Sequence, residues 1–85
     1  MKIDRLVFVD LETTGANPAV DRITEIGLVE VNAAGDANHW STLVNPALPI
    51  PAFIQSLTGI SNEMVRSAPS FAELGPALYQ RLQGA

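Results

Sequence analysis

The sequence contains no cysteine among its 85 residues, which excludes a disulfide framework, a thiolate metal site and a thiol redox couple. Stability must come from packing or from a partner. Charge is also scarce: 16% of the residues are charged, against roughly 25% in ordinary soluble domains, while 47% are hydrophobic. Five Lys and Arg against nine Asp and Glu leave a net charge of −4, which excludes binding to a phosphate backbone by bulk electrostatics. Any nucleic acid must be held locally. There is one histidine, His39, and no apolar run long enough for a secretory core or a membrane span, so no membrane partner is expected and the cytoplasm is the default compartment.

What is present reads as one domain, or part of one. Leu6–Val9 is β-rich and apolar on both faces, the pattern of a central strand, and it runs into Asp10. A loop rich in turn formers (Gly15, Asn17, Pro18, Asp21) leads to a second strand over Arg22–Val31. A connection containing Gly35-Asp36 precedes a third strand over His39–Val44. Three prolines between Pro46 and Pro51 then rule out a further central strand. Pro51 suits the first position of a short helix that Gly59 stops, and Ser61 caps another toward Arg66. Ser70 and Glu73 form a capping box for a longer helix with Phe71, Leu74, Leu78 and Leu82 on one face, and Gly75-Pro76 predicts a kink in it. The expected fold class is α/β: a three-strand antiparallel meander followed by helices.

The chemistry lies in Val9-Asp10-Leu11-Glu12-Thr13-Thr14-Gly15. Alternation along a strand puts Asp10 and Glu12 on one face, about 6.6 Å apart along the backbone. Two carboxylates at a strand end suit a hard divalent cation such as Mg²⁺, and a paired-ion site needs further acidic ligands. The bare D-x-E pattern is equally what a solvated strand end looks like. Glu25 reads as structural with a supporting role as the minority alternative, and Trp40 and Phe8 read as core.

Taken with RITEIGLVEV and with NPALPIPAFIQSLTGIS, the FVDLETTG segment resembles the first half of the DnaQ-like, or DEDD, family of 3′–5′ exonucleases. The similarity runs from about Arg5 to Phe71, and within the family it is greatest to the proofreading epsilon type of DNA polymerase III. The resemblance implies a ribonuclease H-like fold with a mixed sheet. Asp10 and Glu12 would be catalytic residues binding two divalent cations, Mg or Mn. Thr13, Thr14 and Gly15 would form a turn presenting backbone N–H groups to the terminal nucleotide, and Leu57 and Thr58 would contact its base. Thr13–Gly15 would serve as well as an ordinary strand-to-loop turn, and Leu57 and Thr58 as core and helix stop. Implied partners are a single-stranded 3′ end of DNA or RNA and DNA polymerase subunits.

The family's second motif, an Asn and an Asp, and its third, a His or Tyr with a final Asp, do not occur in the chain. Residues 1–85 are therefore expected to be the N-terminal half of one exonuclease domain, inactive alone and prone to self-association through an uncovered sheet edge. Two further readings stay open: an RNA-directed exonuclease of the oligoribonuclease or ribonuclease T kind, and a non-catalytic interaction module.

Overall fold

A computed structural model describes residues 4–85. Three strands, β1 (Arg5–Thr13), β2 (Ile23–Asn32) and β3 (Ala37–Leu43), precede three helices, α1 (Ala52–Thr58), α2 (Asn62–Arg66) and α3 (Phe71–Leu82). The strands form an antiparallel sheet in the order β1-β2-β3. Asn32 sets the β2–β3 turn: its side-chain Oδ1 accepts hydrogen bonds from the N–H groups of Ala34 and Asp36, and Gly35 supplies the positive φ of 86°.

The register assigns each side chain to a face. On one face Leu11 pairs with Ile26 and Val9 with Leu28, which in turn sits opposite Trp40. There Ile26, Leu28, Val44 and Leu74 of α3 form the main core, joined by Val7, Ile23, Trp40 and Leu78. Arg81 fastens the end of α3 to the same face: its guanidinium lies 4.4 Å from the Trp40 ring centroid and 3.7 Å from the Glu30 carboxylate. A second cluster, Ile50, Ile54, Ile60 and Val65 with Leu43, packs the α1–α2 segment against the opposite face. Leu43 is cross-strand from Glu25, and Glu25 from Glu12, so α1 and α2 lie on the side that carries the carboxylates.

Several expectations need correcting. β1 continues three residues past Asp10, because a charged side chain on an uncovered face costs the strand nothing and Thr13 is a good strand former. β2, rather than β1, is the central strand. β1 has one neighbour, and Leu6, Phe8, Val9 and Leu11 are exposed along it, so Phe8 is 60% accessible and does not belong to the core. Trp40 is half-buried, as a residue under the end of α3 should be. Pro51 is the N-cap of α1 and not its first residue, with extended backbone (ψ 145°), while Gly59 closes the helix in the left-handed conformation expected of it. Ser70 and Glu73 form the capping box reciprocally. α3 runs unbroken through Pro76. No helix among the described residues is long and apolar enough to cross a membrane.

Candidate functional site

Asp10 and Glu12 lie two residues apart on β1, paired with Gly27 and Glu25 on β2, so both project from the same face of the sheet. Gly27 leaves the position beside Asp10 without a side chain. A Cβ built there would lie 4.0 Å from the Asp10 Cβ, in open van der Waals contact, and anything longer would enter the space beside the carboxylate. Asp10, Gly27 and Ser41 form one cross-strand row, flanked by the Phe8, Val29 and His39 row, and these six line a shallow depression. His39, set aside as a base from the sequence, is exposed on this face.

Glu12 borders a different hollow. A groove of about 390 Å³ separates the end of β1 from α1, with Glu12, Thr13 and Gly15 on one wall and Phe53, Leu57 and Thr58 on the other. The structure thus brings together residues 45 positions apart in sequence, five of the seven candidates among them. Asp10 stands next to this groove on the same face. Leu57 is 79% exposed, which removes the alternative that it is core.

Within the Thr13–Gly15 turn the polar groups are already committed. The Thr13 hydroxyl donates to the Gly15 carbonyl (2.6 Å) and the Thr14 N–H donates to the Arg22 carbonyl (2.9 Å). Thr14 is 1% exposed, so its side chain faces away from any ligand. Its hydroxyl donates to Asp21 Oδ1 and accepts from the Arg22 N–H. Asp21 Oδ2 accepts from the Asn17 N–H, closing the loop onto itself. Gly15 is required here because a Cβ would meet Asp21 Oδ2 at 2.6 Å. Asp21, read from the sequence only as a turn former, is therefore the anchor of the loop that shapes the groove. The Thr58 hydroxyl likewise serves its own helix end, donating to the Ile54 carbonyl and accepting from the Ile60 N–H.

The donor set available to a cation is two carboxylates, hard oxygen ligands of the kind Mg²⁺ and Mn²⁺ take, with the Gly27 gap beside one of them. Among the described residues no third His, Asp or Glu converges with them closely enough to complete a metal site. A β-bulge falls immediately beyond, where Glu12 faces Glu25 but Thr13 faces Ile23, leaving Thr24 as the extra residue; it is buried, with its Oγ1 unpartnered.

The exonuclease family model RNase_T matches residues 7–85. The 3′-5′ exonuclease DinG of Bacillus subtilis (strain 168) is 40% identical over 86 residues, covering 100% of this chain and 9% of that protein. The PolC-type DNA polymerase III of Caldanaerobacter subterraneus subsp. tengcongensis is 40% identical over 79 residues, covering 93% of this chain and 6% of its own length. The chain thus spans less than a tenth of these relatives. Among solved structures, the nuclease domain of 3′hExo, a DEDDh family member bound to rAMP, superimposes with a TM-score of 0.81 at 25% identity, covering 95% of this chain and 44% of that one. These matches give the meander and helices a ribonuclease H-like fold. With the family model spanning all but its first six residues, the chain belongs to the RNase_T exonucleases of the DEDD type.

Proposed function

We propose that the protein is a metal-dependent 3′–5′ exonuclease that hydrolyses the terminal phosphodiester of a DNA strand, and that these 85 residues are the N-terminal half of its catalytic domain. One observation carries the reading: Asp10 and Glu12 share a face at the mouth of a groove that an exposed helix face closes on the other side. A carboxylate pair beside an apolar slot suits a phosphodiester attached to a base. Domain extent is supported by the 44% coverage of the 3′hExo nuclease domain.

Asp10 and Glu12 would hold two divalent cations, Mg or Mn, which when bound supply charge neutralisation and an activated water. Cations also resolve the electrostatic objection to a phosphate ligand, since a chain of net charge −4 repels one. Glu12, on the groove wall, is placed to approach the terminal 3′ hydroxyl, and Leu57 to touch the terminal base. The Thr13–Gly15 turn acts by shape, holding the groove wall in place. Two carboxylates without a positioned base leave the 85 residues inactive alone. The proofreading setting, with DNA polymerase subunits as partners in the cytoplasm, is favoured by the PolC-type relative. A second reading, hydrolysis of RNA, is favoured by the rAMP bound to the 3′hExo domain. Release of mononucleotides from matched 3′-labelled DNA and RNA strands by the complete gene product tests both. Preference for the ribose strand would replace the first reading by the second, and no metal-dependent release from either would dismiss both.

A further inference from the structure

The α1 helix buries one side chain, Ile54, in the second core cluster, yet carries two large apolar residues one turn apart on its outer side. Phe53 is 71% exposed and Leu57 79%. Neither is needed to pin the helix, and both line the groove that Glu12, Thr13 and Gly15 border. No Lys or Arg lines this groove, so an anionic group would find no cationic side chain there. Its volume, about 390 Å³, lies at the lower end of the roughly 300–1,000 Å³ of small-molecule sites, room for a nucleotide unit and not for a duplex end.

We propose that Phe53, with Leu57 beside it, is a stacking platform for an unpaired nucleobase at the 3′ end of the substrate, so that the site selects strands by the presence and freedom of that base. The inference rests on the exonuclease reading and adds a specificity residue to it. A nucleobase is the occupant the groove fits: two apolar faces meet the ring and the Leu57 side chain, while the attached sugar and phosphate lead toward Glu12 and Asp10, on the same face of the sheet. Sequence patterning alone does not reveal this. A helix of seven residues is too short for its periodicity to say which face is free.

The test uses the complete gene product with Mg²⁺ and a short single strand whose last linkage resists hydrolysis, compared with the same strand lacking its 3′-terminal base. Fluorescence anisotropy should show the intact strand bound about tenfold tighter. Phe53→Ala should lose that preference while binding the base-less strand as before, and Phe53→Trp should restore it, with indole fluorescence quenched only by the intact strand. Because Phe53 is mostly exposed, the melting temperature of both variants should stay near that of the parent. Mg²⁺-dependent binding that ignores the terminal base, or a preference that survives in Phe53→Ala, overturns the platform and leaves the nuclease reading intact. An oligomeric state that changes in Phe53→Ala without any change in strand binding reassigns the residue to protein docking and also overturns it. Absence of Mg²⁺-dependent binding to either strand overturns the nuclease reading, and the platform with it.

Discussion

Glu12 on β1 stands directly across the sheet from Glu25 on β2, two carboxylates paired on the face that carries Asp10. Like charges directly opposite on an antiparallel pair are destabilising by about 0.2–1 kcal/mol. Replacing Glu25 by Gln should therefore raise the stability of the metal-free protein by that order, and Mg²⁺ should raise the melting temperature of the parent more than that of Glu25→Gln. Thermal melts with and without Mg²⁺ decide it. Equal responses to the ion in the two proteins would show that no cation relieves the pair.

Gly27 weakens a central strand by its freedom in the unfolded chain, and its one structural merit is the gap it leaves beside Asp10. Gly27→Val should hold or raise stability by up to about 1 kcal/mol, since a β-branched residue suits a strand, while lowering affinity for Mn²⁺. Urea melts and Mn²⁺ titration calorimetry are the two readouts. Full Mn²⁺ affinity in a folded Gly27→Val variant would mean that the gap has no bearing on the ion.

The loop between β1 and β2 depends on one carboxylate. Asp21→Ala leaves the buried Thr14 hydroxyl without its acceptor and should cost about 1–3 kcal/mol. Gly15→Ala should also destabilise, because the Asp21 carboxylate it would strike is held by both Thr14 and Asn17. The two effects should not add: once Asp21 is removed, the alanine at position 15 has space, and a double-mutant cycle should show coupling. Strict additivity would contradict the anchoring role.

The start of α3 should respond to acid. The Glu73 carboxylate accepts a hydrogen bond from the Ser70 N–H, while the Ser70 hydroxyl accepts one from the Glu73 N–H. The backbone bond first, and the Ser70 side chain second, hold the Glu73 carboxyl below its ordinary pKa. A lowered folded-state pKa means that the stabilisation is present above the ordinary glutamate range and is lost as pH falls through the lowered value. Nuclear magnetic resonance titration of Glu73 should give a midpoint below that of an unstructured glutamate, and Ser70→Ala should bring it back up. Ser70→Ala should also cost about 0.5–2 kcal/mol of stability.

The sequence carries the fold where local chemistry is unambiguous. The capping box at Ser70 and Glu73, the Gly59 stop and the turn at Asn32–Asp36 involve residues a few positions apart, and all are legible in the chain. The carboxylate pair is legible for the same reason, since alternation alone puts Asp10 and Glu12 on one face. Contacts across the chain are a different matter. That Asp21 governs Thr14 and Gly15, and that Phe53 lies against the end of β1, depends on loop closure and on how α1 docks through Ile54. The central strand was misplaced for a related reason: Leu6–Val9 has the apolar pattern of a covered strand, but coverage is supplied by neighbours, and among the described residues β1 has only β2.

The central claim is that Asp10 and Glu12 are the chain's share of a metal-dependent active centre. Its most direct test is turnover of a 3′-labelled single DNA strand by the complete gene product and by its Asp10→Ala and Glu12→Ala variants, with folding checked by circular dichroism. Because the pair would hold the cations, each variant should lose at least about a hundredfold in rate while melting at or above the parent's metal-free temperature. Mg²⁺-dependent release of nucleotides at the parent's rate by either folded variant would contradict the account and leave the pair as a solvated strand end.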